Sequence, residues 1–279
     1  MNIEPQFHAL QAEIISASKL AKAYFDSSST RNEQKIDGSV VTEVDKGIER
    51  HLRAWIDQEF PDDAIVGEEE DNKAGTSGFV WHIDPIDSTT NFLRKIPFCA
   101  VSVARLGDTA EDSFGIVHNP LTGQTFASLM EAGVYENQRI TNLTAEPLGG
   151  TMLLTIANSN RKEPWMRPAA YGLQAALGTK FGSCRPLGSA ALELAYLAAN
   201  RTDGFLTFGL SSYDYAAGLY LVKAAGGAIS VFENNQWSRF EGSLKDLCAE
   251  HGKTIFASHP DIHDEIRDFI GDPKRWADE

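Results

Sequence analysis

Two segments near the start of the chain place hydrophobic residues about every 3.6 positions. In the first segment these residues are Phe7, Leu10, Ile14, Ile15, Leu20, Ala21, Tyr24 and Phe25. In the second segment they are Ile48, Leu52, Trp55, Ile56 and Phe60. Because this spacing puts the apolar side chains on one face, it predicts two amphipathic helices. Thr42 and Asp45 form a capping-box pattern at the start of the second helix, which is the simplest structural role for Asp45.

Short apolar runs rich in β-branched and aromatic residues follow these two helices. They occupy residues 64–66, 79–83, 100–104, 114–117 and 125–129. Turn-forming residues separate the last three runs, and this pattern predicts an antiparallel sheet across residues 98–135. We expect the run at 79–83 to be a buried strand that ends at Asp84, because Pro85 lacks the N–H group that a strand ladder needs.

After a polar linker at residues 141–150, strand-like and helix-like runs alternate. The strand-like runs are residues 152–157, 180–183, 205–208 and 228–232, and the helix-like runs are residues 164–177, 189–199 and 215–225. Alternation of this kind favours an α/β arrangement with helices packed on a sheet. We therefore divide the chain into an N-terminal α+β subdomain, residues 1–145, and a C-terminal α/β subdomain, residues 146–279.

Composition narrows the class of protein. With 279 residues, 42% of them hydrophobic and 23% charged, the chain is typical of a globular protein with an ample core. A net charge of −14 argues against nucleic acid or an anionic membrane as the main partner. Three widely spaced cysteines without a CxxC pair indicate neither a zinc site nor a disulfide framework. Because no signal-peptide pattern or membrane-spanning apolar run is present, we expect a cytoplasmic protein.

The candidate chemistry begins where the run at 79–83 ends. Asp84 and Asp87 flank a Pro-Ile turn, and residues 88–91, Ser-Thr-Thr-Asn, favour helix caps and tight turns. Two carboxylates held close together repel each other unless a cation lies between them, and oxygen ligands suit Mg²⁺, Mn²⁺ or Ca²⁺. Free amides at the following turn suit an anion. A site for both a metal and an anion is what phosphate-ester chemistry requires.

The tetrapeptide at residues 84–87, Asp-Pro-Ile-Asp, has two other interpretations. Taken alone, an Asp-Pro turn with a Ser/Thr-rich helix cap is the simpler one. A phosphoaspartate nucleophile of the haloacid-dehalogenase kind requires acids two positions apart, whereas Asp84 and Asp87 are three positions apart.

Residues 84–92, DPIDSTTNF, resemble the DPIDGTTNF signature of the inositol monophosphatase family, within the Mg²⁺-dependent, Li⁺-sensitive phosphatase superfamily. Ser88 is the one departure, since a side chain stands where the family usually has glycine. Other stretches also resemble family motifs. They are Lys35 with residues 41–45 (K…VTxxD), residues 67–69 (GEE), residues 185–191 (RxxGSAA) and residues 213–218 (WDxAAG, here with Tyr213 for tryptophan).

This resemblance implies a fold and an activity. The implied fold is α/β, a layered αβαβα sugar-phosphatase-like arrangement. The implied enzyme is a Mg²⁺-dependent phosphomonoesterase that hydrolyses inositol monophosphate or a similar polyol or sugar phosphate by a metal-activated water. The family also implies two or three Mg²⁺ ions, with Mn²⁺ as a possible substitute and Li⁺ as an inhibitor, and a homodimer.

The resemblance also implies roles for single residues. Glu68, Asp84 and the Ile86 carbonyl would hold one Mg²⁺ ion, and Asp84, Asp87 and Asp214 would hold the second. Glu68 and Thr89 would orient the attacking water, with Asp45 polarising Thr89. The implied substrate contacts are Lys35, Ser88, Thr89, Gly188, Ser189, Ala190, Thr207 and Asp214. Two simpler roles stay open, a helix cap for Asp214 and tight helix packing for the small residues at 188–190.

The substrate does not follow from the resemblance. Members that process inositol usually carry a glutamate seven residues before the aspartate of the WDxAAG motif, where this chain has Thr207. Alternative substrates are histidinol phosphate, fructose 1,6-bisphosphate or a 3′-phosphonucleotide. The nucleotide fits least, because that branch usually has a Lys-Glu pair where this chain has Thr90 and Asn91. A catalytically weak, metal-binding regulatory relative is the alternative from another class.

Overall fold

The computed structural model describes residues 3–27, 33–34, 40–137, 139–141, 143, 152–158 and 163–277. The α-helices in this part are α1 Glu4–Asp26, α2 Glu43–Glu59, α3 Thr89–Leu93, α4 Met166–Phe181, α5 Ala190–Ala198, α6 Ser212–Ala224, α7 Leu244–Leu247 and α8 Pro260–Ile270, followed by a 3-10 helix at Pro273–Ala277. The strands are β1 Glu33–Gln34, β2 Val40–Val41, β3 Ala64–Gly67, β4 Val80–Asp87, β5 Ala100–Leu106, β6 Phe114–His118, β7 Thr125–Leu129, β8 Val134–Glu136, β9 Arg139–Thr141, β10 Met152–Asn158, β11 Gly182–Arg185, β12 Gly204–Phe208, β13 Ala228–Glu233, β14 Gln236–Arg239 and β15 Thr254–Ser258.

The N-terminal sheet has the strand order β3-β4-β5-β6-β7-β8-β9. Strands β3 and β4 are parallel, and every other neighbouring pair is antiparallel. The antiparallel sheet expected across residues 98–135 is therefore present, and β9 extends it.

The expected end of the buried strand at Asp84 was wrong. Strand β4 continues to Asp87, and its register with β5 shifts between Asp84 and Asp87. Pro85 lies in this irregular stretch, where its missing N–H breaks no ladder hydrogen bond. The bulge therefore keeps both aspartates on one strand and changes the direction in which their side chains point.

The C-terminal sheet has the strand order β11-β10-β12-β15-β13-β14. Strands β11, β10 and β12 are parallel, as alternation with helices predicts. Strand β15 pairs antiparallel with both β12 and β13, so the sheet is mixed. The residues after β13 were not assigned from the sequence, and they supply β14, β15 and α8.

The cores show how these elements are layered. Helices α1 and α2 pack against one face of the N-terminal sheet, around Trp81 and Ile116. Helices α5 and α6 share a second core with residues of both sheets, including Val117 and Phe205. Helix α4 and α8 cover the remaining face of the C-terminal sheet, around Leu206. The layers are thus αβαβα, which confirms the expected fold class.

This architecture does not test the predicted subdomain boundary or the predicted cytoplasmic location. The subdomain boundary between residues 145 and 146 lies outside the described residues and stays a prediction. Among the described helices, none is both long enough and apolar enough to cross a bilayer.

Candidate metal centre

Parallel pairing of β3 and β4 brings the first two acidic residues together. Gly67 is the register partner of Ile83, and the Glu68 amide donates to the Ile83 carbonyl at 3.2 Å. Glu68 and Asp84 therefore follow neighbouring residues at the same end of adjacent strands. Glu68 is half-buried, whereas Asp84 is buried.

Asp84, Asp87 and Asp214 form a cluster in which one carboxylate oxygen from each residue lies within 4.8 Å of the other two. Asp84 and Asp87 come from the two sides of the β4 bulge. Asp214 comes from the first turn of α6, where its Oδ2 also accepts the backbone N–H of Ser211 at 2.7 Å. Asp214 is thus a helix cap and a member of the cluster at once, so the two interpretations of this residue are compatible.

The electrostatics of the cluster favour a bound cation. Burial raises the pKa of Asp84 well above its ordinary value, and the nearby charges of Glu68, Asp87, Asp214 and Asp45 raise it further. Burial also raises the pKa of Asp87 to about 7, although hydrogen bonds from Ser189 and Ala191 oppose the shift. A bound divalent cation would offset the repulsion among these charges and the cost of burying them, so the cluster fits a hard metal ion such as Mg²⁺.

Asp45 is fully buried and links the start of α2 to the signature segment. Its Oδ2 accepts the Thr42 N–H at 2.9 Å and the Thr42 hydroxyl, which completes the expected capping box. Its Oδ1 lies 3.4 Å from Thr89 Oγ1, which also lies 3.3 Å from the Ile86 carbonyl oxygen. Burial raises the pKa of Asp45 to about 6, with hydrogen bonds from Thr42 opposing the shift. Asp45 therefore has both the capping contact and the Thr89 contact.

The backbone conformation at Ser88 is one that glycine adopts more readily than other residues. The backbone of Ser88 is left-handed, with φ 72° and ψ 59°. A residue with a Cβ disfavours this conformation by about 1–2 kcal/mol, whereas glycine adopts it freely. The backbone conformation alone therefore favours glycine at residue 88.

The start of α5 is attached directly to Asp87. The Ser189 hydroxyl donates to Asp87 Oδ2 at 2.6 Å, and the Ala191 N–H donates to the same oxygen at 2.7 Å. Ser189 is fully buried and Ala190 is nearly so. The structure therefore brings Ser189 to a member of the carboxylate cluster, and Gly188 begins the turn beside it.

Two residues, Thr207 and Tyr213, differ from the family pattern, and a third, Lys35, lies outside the described residues. Thr207 is fully buried on β12, and its hydroxyl has no hydrogen-bond partner in the part of the chain that the structure describes. Burial raises the pKa of Tyr213, and the charges of Asp214, Glu68 and Asp84 raise it further. Lys35 lies outside the described residues, so its contact with substrate stays a prediction.

Two buried glutamates, Glu49 and Glu193, are both 0% exposed and were not among the residues predicted from the sequence. Glu49 accepts the backbone N–H groups of Glu69 and Glu70, at 2.8 and 3.2 Å. Glu193 accepts backbone N–H groups from the turn before α5. The available signal was a charged residue inside an apolar helical pattern, since Glu49 lies one turn after Asp45 and Glu193 interrupts an Ala/Leu run.

Comparisons with known proteins agree with the fold. Proteins named Nus factor SuhB are 33% identical over 265 residues in Salmonella typhimurium, covering 94% of this chain and 97% of the relative, and 34% identical over 268 residues in Escherichia coli, with the same coverage. The structure of the Thermotoga maritima IMPase aligns with a TM-score of 0.79 at 24% identity, covering 98% of this chain and 99% of that one. The inositol monophosphatase of Anabaena aligns with a TM-score of 0.75 at 25% identity, covering 99% and 96%. The sequence profile of the inositol monophosphatase family matches residues 4–267, and the chain therefore belongs to this family.

Proposed function

We propose that this protein is a Mg²⁺-dependent phosphomonoesterase that hydrolyses inositol monophosphate or a similar polyol or sugar phosphate. The observation that carries the proposal is the cluster of Asp84, Asp87 and Asp214 oxygens within 4.8 Å of one another. Two buried carboxylates and one half-buried carboxylate, beside backbone amides that suit an anion, match what metal-assisted phosphate-ester hydrolysis needs.

The described residues can be assigned to two ions. Glu68, Asp84 and the Ile86 carbonyl would hold one Mg²⁺ ion, and Asp84, Asp87 and Asp214 would hold the other, with Asp84 shared between them. Glu68 lies outside the cluster of three aspartates, but its charge raises the pKa of Asp84 and therefore acts on the same site. When bound, Mg²⁺ supplies Lewis acidity and lowers the pKa of a coordinated water towards neutrality. Mn²⁺ fits the same oxygen ligands, and we expect Li⁺ to inhibit.

Thr89 and Asp45 would position the attacking water. The Thr89 hydroxyl has one proton, and it lies near both Asp45 Oδ1 and the Ile86 carbonyl oxygen. When this proton is donated to Asp45, the lone pairs of Thr89 Oγ1 remain available to accept a hydrogen bond from a water. That water would then be held in a fixed direction for in-line attack on phosphorus.

The backbone around Ser88 would receive the phosphate. Ser88 is left-handed, and the next residue, Thr89, begins a helical turn. Successive residues of opposite backbone handedness direct their N–H groups into one concave nest that suits an anion. We therefore assign the Ser88 and Thr89 amides to the phosphate oxygens, and we assign Gly188, Ala190 and Thr207 to the neighbouring substrate wall.

The part of the substrate beyond the phosphate is a separate question. Thr207 is uncharged and buried where inositol-processing members usually have a glutamate, so a polyol with a different hydroxyl pattern is expected to compete well with inositol monophosphate. Histidinol phosphate, fructose 1,6-bisphosphate and 3′-phosphonucleotides are the alternatives that a substrate panel has to include.

A second candidate function is interaction with the transcription machinery. The relatives that are 33% and 34% identical carry the name Nus factor, and this name favours a binding role. In that case the centre would bind metal without efficient turnover. A folded, Mg²⁺-binding protein that releases no phosphate from any ester in the panel would favour this second function.

The test is phosphate release with Mg²⁺ across the ester panel, for the wild type and for Asp84→Asn. We expect the substitution to reduce kcat on the order of 10³-fold, because it removes the carboxylate shared by both ions. The metal-free fold should be retained, since the substitution also removes a repelling charge from the cluster. Asp264→Asn, on the exposed surface of α8, is the matched control and should be fully active. Robust turnover by Asp84→Asn would refute the metal assignment.

A further inference from the structure

The turn before α5 has a demanding conformation. Gly188 has a φ of +100°, and a Cβ at this position would lie 2.9 Å from Nδ2 of Asn91. Glycine is therefore needed here. Because glycine itself favours no single conformation, contacts from outside the turn have to hold it in place.

Glu193 supplies one of these contacts from inside α5. Its Oε1 accepts the backbone N–H of Leu187 and the backbone N–H of Gly188, each at 2.8 Å. The side chain is fully buried, and it reaches back past the N-cap residue, Ser189. One buried oxygen thus satisfies two consecutive amides that belong to the turn and not to the helix.

Asn91 holds the same turn from the opposite side. Its Nδ2 donates to the Leu187 carbonyl at 3.0 Å and to the Phe98 carbonyl at 2.9 Å. Leu187 is therefore fixed at both its N–H and its C=O group. One residue beyond Gly188, the Ser189 hydroxyl donates to Asp87, so a displacement of the turn is transmitted to the carboxylate cluster.

We propose that Glu193 is a positioning residue of the hydrolytic site, which fixes the Leu187–Gly188 turn and thereby the substrate wall and the contact between α5 and Asp87. The proposal rests on the phosphatase function proposed above. Glu193 acts through the backbone of the turn, since its Oε1 accepts hydrogen bonds from both amides.

Two substitutions of Glu193 separate the loss of its hydrogen-bond acceptor from the loss of its carboxyl group. Both hydrogen bonds to the turn are made by Oε1, so an amide nitrogen can replace Oε2 without breaking either of them. Glu193→Gln therefore keeps the acceptor for both amides. Glu193→Met has a similar length but no oxygen, and it leaves both amides without an acceptor. Glu265→Met, at an exposed position of α8, controls for a general effect of replacing glutamate by methionine.

We expect Glu193→Gln and Glu265→Met to keep KM, kcat and the Mg²⁺ concentration for half-maximal rate within about threefold of the wild type. We expect Glu193→Met to lower kcat/KM roughly 10- to 100-fold, mainly by raising KM, and to require more Mg²⁺. A loss of helix stability alone would not produce this split between KM and kcat. A folded Glu193→Met enzyme with wild-type KM and Mg²⁺ dependence, or a Gln variant as impaired as the Met variant, would overturn the proposal.

Two measurements separate this proposal from the phosphatase function. Amide hydrogen exchange at Leu187 and Gly188 should become faster in Glu193→Met and remain slow in Glu193→Gln, whatever the protein hydrolyses. Calorimetric titration with inorganic phosphate and Mg²⁺ should show weaker binding in the Met variant only. If the wild type releases no phosphate from any ester, the proposed function fails. The two measurements above still test whether Glu193 fixes the Leu187–Gly188 turn.

A milder variant covers the case in which Glu193→Met does not fold. Asn91→Ala removes the hydrogen bond to the Leu187 carbonyl and leaves α5 unchanged. We expect a smaller rise in KM, about three- to tenfold, with faster exchange of the same two amides. An unchanged KM together with unchanged exchange in Asn91→Ala would contradict the proposal.

Discussion

The two loops beside the carboxylate cluster are each held by a buried glutamate, but the two glutamates have different partners. Glu49 accepts two consecutive amides of the loop after β3 and also forms an ion pair with Arg53, with Nε 2.7 Å from Oε1. Glu193 accepts two consecutive amides of the turn before α5, and no ion pair of Glu193 is found among the described residues. The N-terminal loop therefore depends on a buried charge pair, whereas the C-terminal turn depends on hydrogen bonds alone.

This difference appears in the protonation of the C-terminal glutamate. Burial raises the pKa of Glu193 to about 8, with the amides of Gly188 and Leu187 opposing the shift and Asp87 adding to it. At neutral pH, Glu193 is therefore largely neutral. The comparison teaches that a buried carboxyl group can hold a loop in either of two ways, as a charge with a cationic partner or as a neutral group that still accepts amide hydrogen bonds.

The strongest test of the comparison removes Glu49. Glu49→Met leaves Arg53 without its buried partner, and it leaves the amides of Glu69 and Glu70 without acceptors. We expect a loss of about 3–5 kcal/mol in the free energy of unfolding, measured by urea denaturation. The double variant Glu49→Met with Arg53→Met should recover part of this loss, because the unpaired charge is then removed as well. No recovery in the double variant would show that the ion pair is not what distinguishes this loop.

Gly67 gives a second test on the same loop. A Cβ at Gly67 would lie 2.1 Å from Glu49 Oε1 and 2.6 Å from Arg53 Nη2, so the glycine of the GEE motif makes room for this ion pair. We expect Gly67→Ala to destabilise the protein by about 1–3 kcal/mol in urea denaturation. Gly47→Ala on α2 is the control, since its Cβ would meet Leu20 at an ordinary 3.7 Å. The control should stabilise the helix by up to about 1 kcal/mol.

The pH dependence of stability tests whether Glu193 is neutral in the folded protein. Between the ordinary glutamate pKa of 4.5 and the folded value of about 8, the unfolded chain ionises residue 193 and the folded protein does not. The contribution of Glu193 to the free energy of unfolding of the wild type therefore falls as pH rises through this window. Glu193→Gln lacks the titration, so we expect it to gain roughly 1–3 kcal/mol relative to the wild type between pH 5 and pH 8. The Asp87 shift is present in both proteins and largely cancels in the difference. If the free energies of unfolding of the wild type and Glu193→Gln changed in parallel with pH, the neutral state assigned to Glu193 would be contradicted.

The smallest expected effect concerns a backbone that neither glutamate holds. Ser88 adopts a left-handed conformation without a side-chain cap hydrogen bond. We expect Ser88→Gly to stabilise the protein by about 1 kcal/mol, detected as a rise of a few degrees in Tm, with the phosphate amides unchanged. A lower Tm would mean that the serine side chain makes a compensating contact.

The layered fold could be predicted because periodicity separates helices from strands in both halves of the chain. The end of the strand at Asp84 was not predictable in the same way, since proline terminates a regular ladder but is tolerated in a bulge. Asp45 and Asp214 each had two interpretations from sequence. In the structure Asp45 combines its capping contact with a contact to Thr89, and Asp214 combines its capping contact with membership of the cluster.

Glu49 and Glu193 show what sequence pattern leaves out. Each contacts two backbone amides outside its own helix, and a hydrophobic period does not show where such amides point. Burial of a charged residue becomes visible only after the layers are assembled, because it depends on which neighbours cover it. The motif residues were recognisable from the sequence, whereas the groups that hold the motif loops were found only in the structure.

The position of Asp87 has a consequence for the whole molecule. This aspartate belongs to the N-terminal sheet, its hydrogen-bond donors belong to α5, and its neighbour in the cluster, Asp214, belongs to α6. Ions held there would act as a reversible cross-link between distant parts of the chain. Thermal stability would then depend on the fraction of protein that has Mg²⁺ bound. The free energy of unfolding would rise by about 2.7 kcal/mol when free Mg²⁺ is a hundred times its dissociation constant.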